Sequence, residues 1–545
     1  MSFDLTSTGN EQPPAFLTAI ACNDWLATVP LTNAVQAQSM FLRQLSLLHR
    51  YALPTTERFA ILEALRGPVS DAQEDVAKKF AGRPLPLSPP EQSALESSLT
   101  VWYTLLLGYL RCFDAATRND DALAPHITTV AQRTISVFAD WQVDLCRGEQ
   151  LPDAAYWKKL NEIFSVVESL GIAARAVNDP VRHGNTQTSA LAAFSECQLL
   201  HTACPFELPA RHLAWVARWA RRWGAKLQLL KAPPEDIRTR AVPLSLDLGS
   251  DRPAGYAPRP APGGRWLDTT DLRQSLSARI ALLEQGRAPA DMQLGDDVTQ
   301  PAASQLLNRV LVRWCKGGAA RAQERHAASG AVRFIAGFEA VHFHLSGGKS
   351  FSKTKRDDAT LRREREELET FGQHSHRRES EQAETKEVLL ENWEIMDDWR
   401  LLDESAFGLR ITRPLREGAR IGTGQLIAVQ PPGADNFSLG AVRWALRESS
   451  QSLSAGLQLF ASSPRAVGVR TIENGQRSLY REAFLLIAPP GSEGTGSVVV
   501  PAGIFHIGRI VELLVEATTI HCLKLTRVLD RGSEFERCAY EKLPA

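Results

Sequence analysis

Asp403, Ser405 and Gly408 form a D-x-S-x-x-G stretch between two β-rich runs, in WRLLDESAFGLRITRP. A carboxylate and a hydroxyl two residues apart can order a tight turn or bond a ligand, and the glycine admits positive φ or a close backbone approach. Trp215, Trp219 and Trp223 recur every fourth residue, with Arg211, Arg218 and Arg222 beside them. On a helix they make one indole stripe, read as core with arginines snorkelling at its rim in preference to a docking face. His342 and His344 alternate on an expected strand without a carboxylate or Cys at ligand spacing, so they read as structural. SGGKS at 346–350 lacks the first glycine of a phosphate-binding loop, having Phe343 there, and is set aside. No metalloprotease, nucleophile-elbow or kinase signature occurs, so the chain is read as not an enzyme, with no catalytic and no metal residues.

These residues need a large scaffold. At roughly 150 residues per domain, the 545 residues imply about three or four domains. Hydrophobic residues at 44% and charged residues at 23% exclude a wholly disordered or collagen-like chain. Lys plus Arg equals Asp plus Glu, so no global field exists to bind a nucleic acid polymer. Eight scattered cysteines without a CxxC pair suit reduced thiols, and the polar N-terminus lacks a secretion signal. The longest apolar run falls well short of a membrane span. A cytoplasmic location is expected.

Apolar spacing predicts helices near 32–51, 55–66, 90–117, 124–147, 153–172, 185–202, 208–231, 269–286 and 302–326. The expected organisation is a flexible N-terminus (1–30), a helical domain (31–330) with an irregular loop near 249–266, and a strand segment (331–346). A charged flexible linker (347–392), a β-barrel (393–470) and a C-terminal β segment that could be a second barrel (471–545) follow. The fold class is multidomain α+β, an all-helical N-terminal domain followed by antiparallel β-barrels.

The D-x-S-x-x-G turn at 403–408, the G-x-V-R-W run at 440–444 and the G-x-Q run at 456–458, in that order, resemble the PilZ family. Many members of that family are small β-barrels that bind cyclic di-GMP. The helical front, the charged linker and the closing segment DRGSEFERCAYEKL resemble long bacterial PilZ-containing proteins. The resemblance implies that Asp403 and Ser405 bond a guanine edge and that an R-x-x-x-R motif some two dozen residues upstream clamps phosphate and guanine. At that distance stand Arg377 and Arg378, followed by Ser380 and Glu381 where a second arginine would be spaced. The implied function is a cyclic di-GMP receptor or adaptor in signal transduction, with no other cofactor, that couples ligand binding to an unidentified protein partner of the helical domain. The alternative is a nucleotide-independent interaction scaffold with a degenerate barrel.

Overall fold

Spacing of three and four residues between apolar side chains becomes helix through most of the first three hundred residues, and alternation becomes strand thereafter. The structure, a computed structural model, describes residues 12–118, 120–184, 186–234, 239–256, 263–318, 324–349, 351, 396–415, 418–448, 451–473, 476–487, 496–515 and 520–543. The chain divides into two units, residues 1–83 with 87–322, and residues 84–86 with 323–545.

The first unit is a helical assembly around the helix Ile127–Arg147, in which sixteen residues are buried. Its neighbour Pro89–Thr117 opens on a capping box, the Glu91 carboxylate accepting from the Ser88 amide at 2.8 Å. The helix expected over 55–66 runs instead from Thr55 to Ala77, straight through Pro68. A proline there removes one backbone bond. The buried side chains Val69, Ala72, Gln73 and Val76 beyond it supply packing that outweighs that loss. The three tryptophans are core, at 0%, 1% and 1% exposure. Trp215 donates to Asp297 (2.7 Å) and Trp219 to the Leu294 carbonyl (2.9 Å). Arg211, Arg218 and Arg222 reach around the stripe to Asp297 and Gln293, so the guanidiniums staple the 293–297 segment over the indoles.

Two small β elements interrupt the helices, a departure from an all-helical domain. The strands β1 (Val177–Asn178) and β2 (Gln187–Thr188) form a hairpin. The strands β3 (Gln228–Leu230), β4 (Leu244–Asp247) and β5 (Gly264–Asp268) form a sheet in the order β3-β5-β4.

The second unit holds two antiparallel barrels. The first contains β6 (His326–Ala327), β7 (Ala331–Ala336), β8 (Asp397–Ser405), β9 (Gly408–Pro414), β10 (Leu426–Gln430), β11 (Ser438–Arg447) and β12 (Ser452–Leu459), in the order β6-β8-β7-β10-β11-β12-β9. A β8–β9 pairing closes it. The second contains β13 (Ser463–Glu473), β14 (Gln476–Arg477), β15 (Arg481–Ile487), β16 (Ser497–Pro501), β17 (Ile510–Leu514), β18 (Ile520–Arg531) and β19 (Phe535–Lys542), closed by β13–β17. Closure leaves few open strand edges, the hazard of β proteins.

Residues 338–345, expected to continue a strand, are a helix, Phe338–Leu345, that ends at Gly347 and Gly348 with φ of 76° and 78°. A short apolar run is ambiguous between the two periods, and here the helix fills a core common to both barrels. That core joins Ile335, Leu426 and Leu439 of the first barrel to Phe484, Val499 and Phe535 of the second through Phe338 and Val341. His342 is buried in it, 3.1 Å from the Val467 carbonyl, and burial holds its pKa below the ordinary histidine value. His342 and His344 therefore do not share a strand face.

Candidate functional site

β8 and β9 are joined by Ala406 and Phe407 alone, with Ser405 opposite Gly408. Two-residue connections of this kind bring the flanking residues into register. The Ser405 hydroxyl lies 3.4 Å from the Gly408 carbonyl, to which it donates. A Cβ on Gly408 would stand 3.2 Å from the Ser405 Oγ and 3.3 Å from the Leu457 carbonyl oxygen, so this position calls for glycine through close approach and not through positive φ.

Asp403 lies opposite Arg410 across the hairpin. Its carboxylate meets Arg325 Nη1 at 2.7 Å and Arg410 Nη1 at 4.0 Å, and Arg410 also meets Glu448 at 2.6 Å. Arg325 owes its place to β6, whose His326 and Ala327 pair with Glu404 and Asp403. The side chains of Asp403, Arg325 and Arg410 are 22%, 33% and 39% exposed. Ion pairs this wet contribute only about 0–1 kcal/mol, so the guanidiniums can exchange partners at small cost.

The register extends this cluster across the barrel. Arg410 faces Gly456, and Gly456 faces Trp444. A Cβ on Gly456 would run into the Trp444 indole, so the ring lies directly on the glycine. Two residue pairs further along, Gly408 faces Gln458, which accepts from Arg443 Nε, and Arg443 Nη2 meets Asp530 of β18 at 2.9 Å. Asp403, Ser405, Arg410 and Arg325 thus form one half-exposed patch of donors and acceptors around the buried Gly408, bordered by an aromatic plane.

Arg377 and Arg378 lie outside the described residues, as does the charged segment from 352 to 395. Arg325 is absent from the residues expected from sequence, because it stands 78 residues before Asp403 and not two dozen. Its signal is nevertheless present. Arg321 and Arg325 are an R-x-x-x-R pair just ahead of β6, with Arg321 outside the described residues. The scaffold alternative drew on an absent second arginine, and this pair carries the spacing.

All eight cysteines are free thiols, and among the described residues no group of three or more His, Cys, Asp or Glu could hold a metal ion. No helix of the described residues is long and apolar enough to cross a membrane.

Comparison with known proteins bears on the same regions. A family model described as the cyclic-di-GMP receptor FimW N-terminal domain matches residues 20–235. The FimW middle PilZ domain matches 250–398, which takes in β6, β7 and the start of β8, and the FimW C-terminal β-barrel domain matches 467–543. The chain is 21% identical over 531 residues to the cyclic-di-GMP receptor FimW of Pseudomonas aeruginosa, covering 90% of this chain and 85% of that protein. Matched in order by all three domain models, which together take in more than half of its length, the chain belongs to the FimW family of PilZ-domain proteins.

Proposed function

We propose that this chain is a cyclic di-GMP receptor that acts by binding and not by catalysis, in the cytoplasm, and passes its ligand state to a protein partner of the helical unit. The observation that carries the reading is the Arg325 guanidinium held against Asp403 beside the Ser405–Gly408 turn. Cyclic di-GMP offers two phosphodiester anions and two guanines. A guanidinium fork matches either a phosphate or the O6/N7 edge of guanine, and a carboxylate accepts from the guanine amino and imino groups. Arg325 supplies a cation, Asp403 and Ser405 bond the base, and Gly408 keeps the turn that presents them tight. Arg410 can turn from Glu448 to the ligand because both ends of that pair are solvated. The similarity to a protein named as a cyclic-di-GMP receptor supports the choice of ligand.

Calorimetric titration of the full chain tests it. The wild type should release or absorb heat at tens of micromolar ligand or below. One charge-assisted bond is worth roughly 1.5–3 kcal/mol, so Arg325→Ala should weaken binding about tenfold or more. A silent wild type refutes the receptor reading. A wild type that binds with Arg325→Ala unimpaired moves the ligand elsewhere on the chain.

A further inference from the structure

Among the described residues, the sheet of the first unit ends in an unpaired edge at β3 that lines a groove. Ser245 of β4 exchanges both backbone bonds with Gly255, N–H to carbonyl at 2.7 Å and the reverse at 2.9 Å. Its N–H and C=O therefore point away from β5, and in an antiparallel ladder its partner Trp266 must bond to the other neighbour, β3. It follows that Trp266–Leu230 and Asp268–Gln228 carry the β3–β5 bonds, and that Leu229, opposite Leu267, turns its N–H and C=O outward. Among the described residues no hydrogen bond outside the ladder reaches either group.

Leu229 lines a groove of about 490 Å³, within the roughly 300–1,000 Å³ of ordinary ligand clefts. Ala173, Ala174 and Ala176 contribute to it together with Thr188, and Ala225 follows the helix Ala210–Trp223. None of the lining residues is ionisable. Thr188 is 5% exposed, and its hydroxyl has no partner among the described residues.

We propose that this groove binds an extended, uncharged peptide segment of a partner protein, with small side chains, as an added strand on β3. A donor and an acceptor offered side by side by one residue are matched by one residue of another strand, which is how strand addition recognises backbone. A charged side chain entering a lining without counter-charge would be desolvated unpaired, which selects against acidic and basic segments. Alanine walls leave room for the backbone but not for large side chains, and the Thr188 hydroxyl supplies one further bond. The proposal does not depend on the nucleotide reading, since all of its residues belong to the helical unit.

The test uses the full chain and a fluorescein-labelled peptide, Ala-Thr-Val-Thr-Ala, with Ala-Glu-Val-Glu-Ala and Ala-Lys-Val-Lys-Ala as comparators. Fluorescence polarisation should show saturable binding of the neutral peptide and at least tenfold weaker binding of both charged ones. Hydrogen exchange should slow across 227–231 when the neutral peptide is bound. Leu229→Pro removes an N–H that the β5 ladder does not use, and Ala225→Trp fills the groove from an exposed position, so that one variant serves if the other fails to fold. Each should weaken binding tenfold or more. The proposal is overturned by a wild type that shows no saturation up to millimolar peptide, by charged peptides that bind as well or better, or by both folded variants binding normally. It is equally overturned by a wild-type dimer in sedimentation that Leu229→Pro abolishes and the peptide leaves intact, since the occupant would then be a second copy of the chain.

Discussion

Replacing each stripe tryptophan by phenylalanine should separate burial from hydrogen bonding, because the three indoles are equally buried but differently bonded. The shared contribution is the loss of part of a large ring from a packed site, similar for all three. The difference lies in what the lost Nε1–H leaves behind. Trp219→Phe strands the carbonyl of the buried Leu294, and an unsatisfied buried acceptor costs about 1–3 kcal/mol beyond the packing loss. Trp215→Phe abandons the Asp297 carboxylate, but that side chain is 51% exposed and keeps Arg218 at 2.7 Å, so the added cost should be under about 1 kcal/mol. The Trp223 Nε1–H has no hydrogen-bond partner among the described residues, so Trp223→Phe removes a buried orphan donor and should be the mildest. Denaturant unfolding followed by helical circular dichroism, which does not rely on tryptophan fluorescence, ranks the three by midpoint at constant slope. If Trp223→Phe loses as much stability as Trp219→Phe, the hydrogen-bond reasoning fails. Alanine at any of the three should cost about 3–5 kcal/mol.

In the first barrel, Arg413 and Asp397 are 2% and 6% exposed and paired at 3.1 Å, with the Ala419 amide also donating to Asp397. Asp397→Ala takes the carboxylate from the buried Arg413 guanidinium, which keeps the Ala419 carbonyl but no longer faces Asp397, and should destabilise the second unit by roughly 3–5 kcal/mol, whereas Asp397→Ala with Arg413→Met should recover much of that loss. Equal losses in the single and double variants by thermal melting would disprove the pairing argument. In the helical unit, burial, and next the adjacent Arg182 guanidinium, press the His183 pKa down to about 4. The unfolded chain binds a proton there near pH 6.5 and the folded chain does not, so this stabilisation is complete above that pH and is lost as pH falls toward 4. His183→Gln should flatten the melting temperature of the helical unit across that window, and an unchanged pH profile would rule His183 out as its source.

Local features were legible in sequence where the interaction is local. The turn at 403–408 needs only neighbouring residues, and the tryptophan stripe needs only helical period, so both carry over to the structure. What escaped depends on distance along the chain. β7 pairs with β8 although Ala336 and Asp397 are far apart in sequence, so an arginine placed by counting back from the turn falls in the intervening segment, while the guanidinium that meets Asp403 belongs to Arg325. Pro68 similarly reads as a helix stop by propensity, yet the apolar face beyond it lies in the core. Phe338–Leu345 shows the converse limit, a helix too short for its period to be distinguished from a strand's.

The core common to both barrels has a practical consequence for dissecting the molecule. Cutting the chain near residue 470 would look like trimming a module, but it strips Phe484, Val499 and Phe535 from Leu426, Leu439 and Phe460. Arg443 would lose Asp530 and the Leu426 amide would lose the Glu534 carboxylate. The remaining fragment would present a raw apolar face to water beside the Asp403–Arg325 patch, and should self-associate. Loss of ligand binding in such a fragment would then measure precipitation and not recognition. A smaller piece that is to keep the patch intact should begin before Arg325 and run through β19.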